Sequence, residues 1–188
     1  DASYRQKEEA CRQLQRTGGS DAIPSLAELL TDKKLSHMAR YALQSMPYPE
    51  ADRALRKALA ETDDSRLQAG IIHSLAARDD QTAVPALSKV LSNNKGKSGQ
   101  SAARALGTLA TTKAVAELQA ALKPSDLNAN MKEALCEGLF RAAEKLALDG
   151  ETARALDIYR QMLDLDGVPH SVHTGALRGL ALLRGSEA

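Results

Sequence analysis

The sequence predicts an all-helical solenoid of about five helix pairs, and three observations predict it. A nine-residue phrase with alanine first and leucine fifth and ninth recurs at 22–30, 51–59, 83–91 and 114–122, a spacing close to 30 residues. A second apolar phrase lies between its copies, so each repeat is a pair of helices. No stretch alternates apolar and polar residues as a half-buried strand would. A period of this size belongs to repeat architectures in which each unit covers its apolar face only with its neighbours.

Taken in order, residues 1–20 predict a capping helix. Tyr4, Cys11 and Leu14 make one narrow apolar stripe, while Arg5, Gln6, Lys7, Glu8, Glu9 and Arg12 face water. Repeats follow over 21–125. Their first helices carry the nine-residue phrase. Their second helices carry a small residue, a large one, two free positions and a large one. The copies begin at Ala42, Ile71, Ala105, Gly138 and Gly179, at spacings of 29, 34, 33 and 41 residues, and only Ile71 and Ala142 break the rule. The small residue lets a facing helix approach, and the large ones complete an apolar stripe. Residues 92–101 read as a flexible loop. Within it Gly96, Lys97 and Ser98 imitate the end of a phosphate-binding loop, but Leu91 stands where the upstream glycine belongs and no strand precedes it. Over 126–188 the terminal repeats read as longer, with one helix from about Asn128 to Leu148 and its break at Gly150. The last helix carries Ala176, Leu177, Leu180, Ala181, Leu182 and Leu183 all around it. That composition predicts a further repeat or domain beyond it, or a pairing with another chain. The start at Asp1 is read as a cleaved leader or a cut from something longer.

On these residues the chain resembles HEAT-repeat proteins, of the short bacterial kind similar to the repeats of phycobilisome lyases. The resemblance rests on Ile23-Pro24 and Val84-Pro85 with Leu26 and Leu87, and on the second-helix cores, over about 21–185. Asp52 and Arg53 replace the apolar-proline pair in the second repeat, and the last unit loses the phrase. There Leu139, Ala142, Ala143 and Leu146, then Gly150, Ala155, Tyr159 and Leu163, are spaced like a tetratricopeptide hairpin. An ordinary repeat with an extended helix is the other reading. The resemblance implies a single domain over 1–188, wound as a right-handed superhelix with its second helices lining a concave face. The columns flanking each second-helix core hold Tyr41, Gly70, Arg104, Glu137 and Arg178, then Ser45, Ser74, Thr108, Arg141 and Leu182. From these, Tyr41, Arg104, Thr108, Glu137, Arg141 and Arg178 are the expected partner-binding residues, since mixed charge with one aromatic suits a protein or peptide.

Composition narrows the function classes. Among 188 residues, 25 basic side chains face 24 acidic ones, a balance that argues against a dedicated nucleic-acid or anionic-membrane protein. One local excess remains: no acidic residue falls between Asp80 and Glu117, while Lys89, Lys95, Lys97, Arg104 and Lys113 do. An anionic or nucleic-acid ligand at this third repeat is therefore an alternative, against a solvated surface as the plainer reading. No apolar run reaches the ~18 residues of a membrane span. Cys11 and Cys136 lie about four repeats apart, too far for a disulfide. His170 and His173 lack the further ligands a metal would need, and all four histidines read as surface groups. Met38, Ser74, Ser171 and Thr174 follow them, so the His-Glu pairs of HEAT-type hydroxylases are missing. The tryptophan pocket of HEAT-type DNA glycosylases is also missing, since the chain has no Trp. The expectation is a noncatalytic scaffold, with no cofactor, binding a protein, a peptide or another domain of its own chain. A tetrapyrrole lyase or chaperone-like role, by analogy with the repeats it resembles, is the enzyme alternative.

Overall fold

The computed structural model describes residues 2–93, 96–123 and 126–185, the Arg184 side chain excepted, and all of its regular structure among them is helical. The helices are α1 (Tyr4–Thr17), α2 (Ile23–Glu28), α3 (Ser36–Ser45), α4 (Pro49–Glu61), α5 (Ser65–Ala77), α6 (Val84–Asn93), α7 (Lys97–Leu109), α8 (Thr112–Leu122), α9 (Ala129–Leu148), α10 (Thr152–Leu163) and α11 (His170–Gly185). After the cap α1 they fall into five pairs, α2/α3 to α10/α11. This is an α-solenoid. Two compact units divide the chain, residues 1–86 and 87–188, with the boundary inside α6.

Local chemistry sets the helix ends. Ser3 and Gln6 form a reciprocal capping box at α1, the Ser3 N–H donating to Gln6 Oε1 at 2.7 Å. Pro24 and Pro49 open α2 and α4, where a missing N–H costs nothing. The Asp64 carboxylate caps α5 by accepting the N–H groups of Arg66 at 2.9 Å and Leu67 at 3.2 Å. Helix α9 ends in a Schellman turn: Gly150 sits at φ 82°, its N–H reaches Ala147 O at 3.1 Å, and the Glu151 N–H reaches Leu146 O at 2.7 Å. One expectation is corrected here. Of residues 92–101, 92–93 and 97–101 are helical, since α6 runs to Asn93 and α7 starts at Lys97 with Gly96 as its N-cap, while 94 and 95 lie outside the described residues. Ser98 is fully buried in that helix, so the sequence Gly-Lys-Ser is helix start and core. Burial of Ser98, Gly99 and Ala102 outweighs the weak helix propensity of the Gly- and Ser-rich composition that suggested a loop.

Packing follows the repeat phrases. Leu26, Leu55, Leu87 and Leu118, the fifth residues of the first-helix phrase, are 0 to 1 % exposed. Each contributes about 1.5 to 3 kcal/mol by leaving water. In the first unit α1 packs on α3, α2 on α4 and α3 on α5; in the second, α7 packs on α9 and α10 on both α9 and α11. Neighbour touches neighbour, as a one-dimensional stack requires. At the α7–α9 crossing the approach is backbone on backbone: a Cβ on Gly107 would stand 2.1 Å from Gly138 O, and one on Gly138 would stand 2.6 Å from Ala103 O. In the first unit Arg78, at the end of α5, closes the α3–α4 junction. Its guanidinium pairs with the Asp52 carboxylate and donates to the carbonyls of Leu43 (2.7 Å), Gln44, Met46 and Tyr48 (3.2 Å). Those carbonyls lie where a helix has run out of internal donors.

Candidate protein-interaction surface

In the first unit the second helices α3 and α5 lie side by side and present one cluster. Tyr41 on α3 is 48 % exposed, a large aromatic ring left in water. Beside it Arg40 reaches across to α5, where Nη1 donates to Gly70 O at 2.9 Å and to Ser74 Oγ at 3.4 Å. Its Cζ stands 5.8 Å from the Tyr41 ring centroid. The guanidinium lies flat on Gly70, since a Cβ there would be 2.6 Å from Cζ. Burial pulls the Arg40 pKa below the ordinary arginine value, with Tyr41 pulling it back a little. Its Nε is buried without an acceptor, an omission that costs about 1 to 3 kcal/mol. Ser74, placed by the column rule on the open face, is fully buried beneath this arginine. Ser45 remains exposed and donates to Gln15 O at 2.8 Å, tying α3 to the cap.

In the second unit the expected residues separate into two groups. Arg104 on α7 and Glu137 on α9 meet as an ion pair, each side chain roughly two-fifths exposed. Thr108 spends its hydroxyl on Arg104 O, one turn back, at 3.1 Å. Arg141 on α9 and Arg178 on α11 are exposed and carry no ion pair among the described residues. Arg178 stands at a groove of about 920 Å³ between the end of α9, α10 and α11. Phe140 and Tyr159 floor it, ring centroids 6.2 Å apart and planes inclined by 47°. Gly175 and Gly179 make room for them: a Cβ on Gly179 would lie 2.4 Å from Tyr159 Cζ. Burial, then the Glu144 carboxylate, raises the Tyr159 pKa above its usual value. Leu182 at the groove is 64 % exposed, Leu148 88 % and Leu177 57 %.

Cys11 and Cys136 are free thiols, 2 % exposed. Burial pushes Cys136 up to about 11 against a small pull from Lys132, and raises Cys11 as well, so neither is activated as a nucleophile. His173 Nε2 lies 2.9 Å from Leu165 O, and no group of His, Cys, Asp or Glu suited to a metal occurs among the described residues. Of the basic run, Lys89, Lys97 and Lys113 are exposed, Arg104 is neutralised by Glu137, and Lys95 lies outside the described residues. Among the described residues no helix is long and apolar enough to cross a membrane.

The sequence reading missed Arg40. Its signal was present in the period: Arg40 and Gly70 are 30 residues apart, one repeat, so a long basic side chain on one second helix faces a bare backbone on the next.

A family profile described as HEAT repeats matches residues 1–76 and, in an overlapping second match, 53–139. Among solved structures, an engineered protein from the Northeast Structural Genomics Consortium superposes with a TM-score of 0.50 at 20 % identity, over 98 % of this chain and 93 % of that one. At that identity the likeness speaks for the fold alone. No curated protein matches the sequence.

Proposed function

The chain belongs to the HEAT-repeat family, and on that premise we propose that it is a noncatalytic scaffold whose second helices bind a partner protein or a neighbouring domain of its own chain. The observation that carries the reading is the set of second-helix side chains that do no packing work: Tyr41, Arg141 and Arg178 stand exposed on α3, α9 and α11. Aromatic and arginine side chains are the types that anchor protein interfaces. Within each unit the packed helices hold these side chains in place, so little order must be imposed on binding. Arg104, Thr108 and Glu137 then belong to the rim or to the register of the array, because their polar groups already answer one another.

Affinity capture from the source cell's lysate tests this, with the natural chain beside a Tyr41→Ala, Arg141→Glu, Arg178→Glu variant. A protein retained by the first bait and lost by the second is the expected result. Equal retention by both baits, or none by either, overturns the second-helix assignment.

A further inference from the structure

Half-buried arginines in this protein come with carboxylates. Arg56 pairs with Asp80, Arg78 with Asp52 and Arg104 with Glu137. Arg40 does not. Among the described residues its only hydrogen-bond acceptors are Gly70 O and Ser74 Oγ, both neutral, and its only charge-type neighbour is the phenol of Tyr41. Its Nη2 makes no hydrogen bond and is not sealed off, although Nε is. A buried guanidinium without a counter-ion is costly, and an apolar side chain of similar length would fill the space at less cost. The position is built all the same: Gly70 supplies the flat bed, its carbonyl fixes Nη1, and Tyr41 stands beside it.

We propose that Arg40 is a carboxylate-binding subsite, in which an Asp or Glu side chain of a bound protein segment pairs with Nη2 while a neighbouring apolar side chain of that segment packs on the Tyr41 ring. The inference rests on the interaction reading above and gives it a partner chemistry. A carboxylate fits better than a phosphate for two reasons. Phosphate recognition gathers several cations, and here one guanidinium acts alone. The first unit as a whole, residues 1–86, carries twelve basic against thirteen acidic side chains, so it offers no general basic field to draw in a polyanion. The rigid, preformed position of Arg40 means that docking orders no long side chain. A charge-assisted bond in a partly dried setting is then worth about ten- to a hundredfold in affinity.

The test pans a displayed library of random twelve-residue peptides on the whole chain, then measures synthetic copies of the enriched sequences by fluorescence anisotropy. The expected consensus holds Asp or Glu within a few residues of an aromatic or large aliphatic side chain. Exchanging that acid for its amide loosens binding about ten- to a hundredfold, and so does Arg40→Met. Gly70→Ala gives a second variant: it lifts the guanidinium from its bed while keeping the charge and favouring the helix, and it weakens binding to a similar degree. Far-ultraviolet circular dichroism verifies that both variants are folded. Enriched peptides without an acidic residue, unchanged binding by Arg40→Met, no enrichment at all, or displacement by inorganic phosphate or a single-stranded oligonucleotide each overturn the inference. Peptides that ignore Arg40 but are lost with Arg178→Glu overturn it while leaving the scaffold reading intact. Failure of that reading is seen separately, in the lysate capture.

Discussion

Gly107→Ala adds one methyl group at the α7–α9 crossing and should destabilise the protein, against the rule that alanine favours helices. The new Cβ would lie 2.1 Å from Gly138 O and 2.6 Å from Gly138 Cα. Ordinary carbon contacts need about 3.5 Å, so α7 and α9 must part by roughly 1 Å. Both opposing groups are backbone, so no rotamer change absorbs the clash. A gap of that size forfeits about a quarter to a half of each dispersion contact along the interface, and overpacking of this kind costs about 1 to 3 kcal/mol or more. Alanine returns about 1 kcal/mol of helix propensity. Because backbone meets backbone the upper end of that range applies, and the expected net loss is about 2 kcal/mol. With a urea dependence of ~2 kcal/mol per molar, the unfolding midpoint falls by about 1 M at unchanged slope. Hydrogen exchange should place the loosening in α7 and α9. Gly175→Ala is the control: its Cβ would meet only the end of the Phe140 ring, 2.8 Å away, and a side chain can give where backbone cannot. A Gly107→Ala midpoint equal to or above that of the natural chain refutes the reasoning, because propensity alone would then have decided the outcome.

Arg78→Met should cost about 3 to 5 kcal/mol, since it strands the Asp52 carboxylate and the carbonyls at the end of α3; urea unfolding reads it, and a cost below 1 kcal/mol removes the clamp. Cys11 and Cys136 should resist a thiol-exchange reagent at pH 8 in the folded protein and react together in denaturant; rapid labelling of the folded chain contradicts their burial. Asp64 and Asp32 should contribute to acid sensitivity. The N–H groups of Leu67 and Arg66, and of Leu35 and Lys34, hold these carboxyls below their ordinary values. Their stabilisation is complete above the unfolded value near pH 4 and is lost as pH falls through the lower folded value. Asp64→Asn keeps a capping oxygen without the titration, so its stability should fall less steeply below pH 4; an unchanged acid limb counts against the cap.

The repeat phrases were legible because burial is periodic and alanine and leucine report it directly: Ala51, Leu55, Ala83, Leu87, Ala114 and Leu118 are all at or near zero exposure. Gly138 and Gly179 were legible as small residues, and the structure gives the reason, a backbone in one case and the Tyr159 ring in the other. The start of α7 was not legible. Polar residues dominate around it, and only the burial of Ser98, a tertiary fact, shows that the helix begins there. The candidate site was legible by column and not by partner. Column position placed Tyr41, Arg141 and Arg178 in water, yet it could not show that Arg104 and Glu137 would pair or that Ser74 would vanish beneath Arg40. Long side chains reach the neighbouring repeat, so their fate depends on a residue about 30 positions away.

That reach also explains how a stack of similar units holds its register. Apolar burial between neighbouring helices is non-directional, whereas a hydrogen bond is lost within an ångström or so. Arginines supply the directional ties here. Within the first unit Arg40 joins α3 to α5, Arg56 joins α4 to the turn at Asp80, and Arg78 joins the end of α5 to the α3–α4 junction; within the second, Arg104 joins α7 to α9. Three of the four satisfy their charge internally, through charge-assisted bonds whose geometry fixes one arrangement of the joined elements. Arg40 ties the register through neutral acceptors and keeps its charge in hand. A tie that needed only position could have used a neutral side chain or a neighbouring carboxylate, so the charge left over at Arg40, next to an exposed tyrosine, is the feature on which the proposed carboxylate subsite rests.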